Sequence, residues 1–351
     1  MSAPLVSARR LRVEYPGRAG GRVRALRDVD LDILQGETLG LVGESGCGKS
    51  TLGRALLRVI EPSAGRIEFA GADLTRLRGR QLRRTRAELQ MVFQDPFGSL
   101  NPRRRVADIV AEPLLRARGT TRTEAARTVA ELLDLVGLGA EAGARRPHEF
   151  SGGQRQRIGI ARALASSPQF VVADEAVSAL DVSIQAQVLN LLSDLVRDRG
   201  LTMLFISHDL GVVRHIADRI AVMYLGQIIE IASRDAFFTG PAHPYSRALL
   251  SSVPALRRPG GDPAREREVL EGELPDPANP PEGCLFRTRC PKATAECRTR
   301  MPELREVAPG RSVRCHLPLV SGGFEAEGSS DAGNSSDCGG SASPAIKDVT
   351  L

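Results

Sequence analysis

Nine residues constrain this chain more than any other stretch: Gly43, Glu44, Ser45, Gly46, Cys47, Gly48, Lys49, Ser50 and Thr51. They fit the pattern G-x-x-x-x-G-K-[ST], the signature of a phosphate-binding loop, or P-loop. Glycines let successive backbone N–H groups turn inward around phosphate oxygens, and a following helix points its positive end at the same anion. In such a loop the lysine, Lys49, pairs with the β- and γ-phosphates, and the Ser50 hydroxyl ligates Mg²⁺. The flanks agree with this reading. Residues 37–42 (ETLGLV) predict a short buried strand, and residues 51–60 (TLGRALLRVI) predict a helix with an apolar face.

Four later stretches supply partners for that loop. Residues 170–173 (FVVA) predict a buried strand, and it ends in two carboxylates, Asp174 and Glu175. An acid at the C-terminal end of such a strand holds Mg²⁺, and its neighbour can orient or deprotonate water. Residues 201–207 (LTMLFIS) predict a second buried strand, which ends at His208. Gln94 closes a third short strand at residues 90–94. Ser151, Gly152, Gly153 and Gln154 form a small-residue turn before a helix over 155–165, a second anion-binding helix start. Between them, residues 106–139 read as helical, with Ala125, Val129, Leu132, Leu133 and Val136 on one face.

The remaining elements frame these. Residues 5–13 and 23–33 predict strands, with Tyr15 in the loop after the first, where its ring can stack on a nucleobase. The arginine-dense run 76–86 reads as a solvated face. Residues 219–224 and 227–231 read as a terminal hairpin. Residues 235–250 read as helical at both ends, interrupted at Gly240, Pro241 and Pro244.

The 351 residues suffice for one large domain plus an appendage. The formal charge of +6 comes from arginines spread along the whole chain, without an aromatic-interleaved patch, so no nucleic acid partner is expected. The N-terminal residues carry no apolar signal region, and no run approaches the ~20 apolar residues that cross a bilayer. The chain is therefore expected to be soluble and cytoplasmic, reaching a membrane only through a partner.

Taken together, the P-loop, Gln94, the Phe150-Ser151-Gly152-Gly153-Gln154 run, Asp174-Glu175, Ser178-Ala179-Leu180-Asp181 and His208 resemble the nucleotide-binding subunit of an ABC transporter. The first residue of the five-residue run departs conservatively from the commoner Leu. The stretches at 95–102 (DPFGSLNP), 174–183 (DEAVSALDVS) and 243–250 (HPYSRALL) are similar to the oligopeptide/dipeptide permease branch, and Ala176-Val177 to its F-type subunit. The resemblance implies an α/β fold: a RecA-like P-loop NTPase core, an antiparallel β subdomain, a helical subdomain and a small C-terminal cysteine-containing extension. The domains would be 1–253, 254–320 and a disordered tail at 321–351.

It also implies function. Two ATPase subunits would stack head to tail as a heterodimer, each ATP lying between one P-loop and the other's Ser-Gly-Gly-Gln turn. Tyr15 would stack on adenine, Lys49, Ser50 and Thr51 would hold phosphates and Mg²⁺, and Gln94 would sense Mg²⁺, the attacking water and the membrane subunit. Asp174 would support Mg²⁺, Glu175 would be the general base, His208 would contact the γ-phosphate, and Asp181 would communicate across the dimer. The partners implied are a second ATPase, two transmembrane permease subunits and, indirectly, an extracytoplasmic binding protein, for uptake of dipeptides or oligopeptides at the cytoplasmic face. Nickel or another solute, and a soluble non-transport ATPase, are the alternatives.

Cys284, Cys290, Cys297 and Cys315 cluster near the C-terminus, away from Cys47 and Cys338. Disulfides are not expected in the cytosol, so a metal is the natural reading. Zinc, an iron–sulfur cluster or four reduced thiols all fit the irregular spacing; similarity to the permease extension favours a [4Fe–4S] cluster.

Overall fold

A computed structural model describes residues 3–17, 21–117, 120–178, 180–252 and 272–319. Among them the strands are β1 (Pro4–Pro16), β2 (Arg22–Leu34), β3 (Thr38–Val42), β4 (Ala64–Phe69), β5 (Ala72–Asp73), β6 (Leu89–Val92), β7 (Phe170–Asp174), β8 (Thr202–Ile206), β9 (Arg219–Tyr224), β10 (Gln227–Ser233), β11 (Arg305–Ala308) and β12 (Arg311–Val313). The helices are α1 (Lys49–Leu56), α2 (Gly79–Glu88), α3 (Pro96–Ser99), α4 (Val106–Ala117), α5 (Arg122–Leu135), α6 (Gly152–Leu164), α7 (Val182–Arg199), α8 (Leu210–Ile216), α9 (Arg234–Thr239), α10 (Pro244–Ser251) and α11 (Ala295–Thr299).

The central sheet has the order β11-β12-β10-β9-β3-β8-β7-β6. Strands β3, β7 and β8 are buried at every residue, as continuous apolar runs must be when both faces of a parallel sheet are covered. They run parallel with β6 and β9 alongside, and Leu41, Ile206 and Asp174 fall at the same end of neighbouring strands. That end is where ligands collect in α/β sheets.

A second, antiparallel sheet of order β2-β1-β4-β5 packs its apolar face over α1. Helix α1 buries Leu52, Ala55 and Leu56, and Gly53 brings it so close to β7 that a Cβ there would lie 2.8 Å from Val172. Pairing of β1 with β2 continues to Pro16 and Arg22, so Tyr15 lies on β1 opposite Val23 and not in a loop. Ladder pairing carries the two strands past the end of the apolar pattern.

The helical subdomain is α4, α5 and α6. Helix α5 starts with a reciprocal cap between Thr121 and Glu124, and its face of Ala125, Val129, Leu132, Leu133 with Val136 is buried as the spacing predicts. Helix α2 buries none of its residues fully, and Arg76, Arg78, Arg80, Arg83 and Arg84 are exposed as the run predicts, whereas Arg86 turns inward and donates to the Arg58 carbonyl. Pro244 starts α10 at its first turn and does not break a helix there.

The β9–β10 hairpin is not terminal. Strand β12 pairs with the free edge of β10, Glu230 opposite Val313 and Ile231 opposite Ser312, and β11 follows it. Glu230, fully buried, fixes this join by accepting from Ala242 N–H at 2.8 Å, His243 N–H at 2.9 Å and the Arg311 guanidinium at 3.0 Å. The partner strand lies some eighty residues away in sequence, beyond the reach of local periodicity. The expected linker and tail fall largely outside the described residues. No helix among the described residues is long and apolar enough to cross a membrane.

Candidate active site

The loop between β3 and α1 has the backbone its glycines permit. Gly43 has φ +152° and Gly48 φ +110°; a Cβ would lie 2.3 Å from the Met223 carbonyl oxygen at the first and 2.6 Å from that of Ala25 at the second. Only glycine fits both the conformation and the space. Gly48 also leaves the N-terminus of α1 without a side-chain cap, so the first-turn N–H groups stay open to an anion. Lys49 is buried and donates to the carbonyls of Gly43 at 2.7 Å and Glu44 at 2.9 Å. Ser45 and Gly46 complete the bend, and burial pushes the Cys47 thiol up, although Lys49 opposes this.

Two side chains from adjacent elements meet at the start of α1. Ser50 Oγ donates to Asp174 Oδ1 at 2.8 Å, and Arg54 stands 4.0 Å from the same carboxylate. Burial pushes the Asp174 carboxyl up, while the Ser50 hydroxyl and the Arg54 and Lys49 charges pull it down. Thr51 follows on the same helix. The oxygen donors of Ser50 and Asp174 suit a hard divalent cation such as Mg²⁺.

One residue on, Glu175 sits at φ +47°, a left-handed conformation that costs a non-glycine residue about 1 kcal/mol. Its N–H donates to the Ile206 carbonyl at 3.0 Å, which ties the turn to β8. Its carboxylate is held from both sides: Gln94 Nε2 donates to Oε2 at 2.7 Å, and His208 Nδ1 lies 3.3 Å from Oε1. The structure thus assembles Lys49, Ser50, Gln94, Asp174, Glu175 and His208 from four separate stretches of chain at one end of the sheet. Tyr15 lies at the far end of β1, 39% exposed.

The other expected residues stand differently. Ser151 caps α6, and the pair closes on itself: Gln154 N–H donates to Ser151 Oγ at 3.3 Å and Ser151 N–H to Gln154 Oε1 at 3.0 Å. Gly152 is open, whereas Gly153 is buried so tightly that a Cβ would lie 2.4 Å from Ile184. Asp181 caps α7 by accepting from Ile184 N–H at 3.0 Å. Ser151 and Asp181 are both exposed, and each caps its helix by accepting from a backbone N–H three residues on.

Sequence reasoning missed the support of the loop from the C-terminal side. Tyr245 Oη accepts from Glu44 N–H at 3.0 Å, and Arg289 donates to both Glu44 carboxylate oxygens at 3.0 Å. Tyr245 lies in a stretch already singled out for its resemblance, but nothing local ties it or Arg289 to residue 44.

Cys284, Cys290, Cys297 and Cys315 line one small cavity with His243 and His316. Burial and the neighbouring thiols push Cys315 up to about 11. Among the described residues, no three His, Cys, Asp or Glu side chains are grouped to hold a single metal ion.

Comparison with known proteins agrees with this geometry. The ABC transporter family model matches residues 26–178, and the model described as oligopeptide/dipeptide transporter, C-terminal region, matches residues 229–297. The oligopeptide transport ATP-binding protein AppF of Bacillus subtilis (strain 168) is 52% identical over 320 residues, covering 89% of this chain and 97% of its own. A putative peptide import ATP-binding protein of Brucella ovis, BOV_A0347, is 54% identical over 312 residues, covering 89% and 97%. A dimeric post-hydrolysis structure of the ATP-binding cassette MJ0796, bound to ADP and Pi, superposes with a TM-score of 0.60 at 28% identity, over 65% of this chain and 98% of that one. The chain belongs to the ATPase family of ABC transporters, in the branch that carries the oligopeptide/dipeptide-type C-terminal region.

Proposed function

We propose that the chain hydrolyses ATP to drive uptake of peptides, as one of two ATPase subunits docked on a pair of membrane permease subunits. The observation that carries the chemistry is Glu175, held between Gln94 and His208 beside the Ser50–Asp174 pair. The similarity to peptide import proteins carries the choice of solute. In this reading Tyr15 stacks on adenine, and the P-loop amides with Lys49 and Thr51 grip the phosphates. Ser50, Asp174 and Gln94 would hold Mg²⁺, which neutralises charge on the phosphates. Glu175 takes a proton from the attacking water as its oxygen bonds to the γ-phosphorus; the bond to the β–γ bridging oxygen breaks, and ADP and phosphate leave. His208 steadies the γ-phosphate, and Gln94 reports the exchange to the permease.

The self-capped Ser151–Gln154 turn serves the nucleotide of a second ATPase stacked head to tail, with Asp181 beside that interface. Such a subunit works peripherally at the cytoplasmic face, with an extracytoplasmic binding protein delivering the solute. The test is uptake of a labelled dipeptide or oligopeptide into proteoliposomes holding the whole transporter. Wild type should drive ATP-dependent uptake and Lys49→Ala should abolish it. ATP hydrolysis stimulated by nickel and its binding protein, with no response to peptides, would transfer the subunit to another solute.

We also infer that residues 254–320 form a working extension whose four cysteines bind a [4Fe–4S] cluster. Support comes from the one cavity that the four cysteines line, and from the match of residues 229–297 to the oligopeptide/dipeptide transporter C-terminal region. Anaerobically purified protein should then contain about four irons per chain, with visible absorption that Cys297→Ser removes. Colourless protein with stoichiometric zinc, or none, would reject it.

A further inference from the structure

We propose that Arg289 is a positioning residue of the ATP site: it holds and neutralises the Glu44 carboxylate, which would otherwise oppose the triphosphate. The inference rests on nucleotide binding by the P-loop and is independent of the solute carried.

Glu44 is the only acidic residue in the nine-residue loop. It directly follows Gly43, whose carbonyl accepts from Lys49. A carboxylate in a loop that receives a polyphosphate is unfavourable by simple like-charge repulsion, more so where the site is partly screened from water. Glu44 is three-quarters shielded, and every polar group it carries is engaged: its amide with Tyr245 Oη, its carbonyl with Lys49 Nζ, and its carboxylate with Arg289. One Arg289 nitrogen, Nη1, reaches both carboxylate oxygens at 3.0 Å, and only 7% of that side chain is exposed, so the charge-assisted contact is largely shielded from water.

The guanidinium is itself fixed from the C-terminal side. It faces the Tyr224 hydroxyl, and the Phe286 ring packs 5.4 Å from both Tyr224 and Tyr245. Arg289 is therefore presented to the loop by the segment that also carries Cys284 and Cys290. A residue 245 positions downstream in sequence completes the electrostatics of the phosphate site, and the extension becomes part of the nucleotide machinery.

The experiment measures equilibrium affinity of the full-length subunit for ATP and ADP, and its thermal unfolding without nucleotide. Arg289→Met should weaken ATP binding about tenfold and ADP binding less, because ADP carries less charge. The deficit should shrink at high salt. Arg289→Lys keeps the charge on a shorter side chain without the planar fork, so its loss of ATP affinity should be smaller than that of Arg289→Met. The decisive variant is Arg289→Met combined with Glu44→Gln: removing the unpaired carboxylate should restore most of the lost affinity. A purely structural ion pair predicts lower unfolding temperature, unchanged ATP affinity and no rescue. If Arg289→Met does not fold, Arg289→Gln replaces it. Wild-type ATP affinity in the neutral Arg289 variant, or a double variant as weak as the single, overturns the proposal; failure of wild type to bind ATP would instead overturn the reading of the site.

Discussion

Two helix N-termini in this chain look alike as sequence and are built in opposite ways. Helix α1 begins after Gly48 and has no side-chain cap; α6 begins after Ser151, whose hydroxyl and the Gln154 amide satisfy each other's backbone groups. An uncapped helix start keeps its donors for a ligand, at a cost in the free protein. A capped one is stable by itself and must trade its own contacts to take up a phosphate. The difference teaches that one end is left open beside Lys49, Asp174, Glu175, Gln94 and His208, whereas the other is closed by its own side chains. Under the proposed function the open end takes this chain's nucleotide and the capped turn that of a second ATPase.

Substitutions at the two ends can break or sharpen that contrast. Glu175→Gln should reduce ATP hydrolysis about 100- to 10,000-fold in membranes holding the complete transporter. Turnover close to wild type would mean that the open end binds nucleotide without supplying the chemistry. Gly48→Ala comes next: strain at φ +110° and the approach to the Ala25 carbonyl should weaken ATP affinity of the isolated subunit by about 1–3 kcal/mol, readable by titration calorimetry. At the capped end, Ser151→Ala should cost about 1 kcal/mol of unfolding free energy in a denaturant titration. No loss would mean that the cap is not the state of the free subunit. Gly152→Ala, where a methyl group meets open space, should change stability by less than about 0.5 kcal/mol. A large effect there would remove the contrast with Gly48.

The cysteine module shows a different limit of local reading. Its four thiols are separated by irregular spacings, and only folding brings them around one cavity. The β11–β12 hairpin is short and polar, so its pattern predicts little; its place is set by the open edge of β10 and the buried Glu230–Arg311 pair. Tyr15 was legible as a residue but not as a strand position, because ladder pairing and not side-chain alternation carries β1 as far as Pro16.

The sequence by itself determined the P-loop, the buried strands that end in Asp174-Glu175 and His208, the helical insert and the Ser-Gly-Gly-Gln turn. Each is local: a glycine pattern, an apolar run or a helical period is written within a dozen residues and needs no distant partner. Tertiary structure alone decided that Gln94 and His208 flank one carboxylate, that the cap at Ser151 is closed while that at Gly48 is open, and that Tyr245 and Arg289 brace Glu44. Those contacts join residues 33 to 245 positions apart, apart from the local caps. Hydrogen bonds and ion pairs at such separations follow from how the sheet and its helices pack, and no periodicity along the chain encodes them.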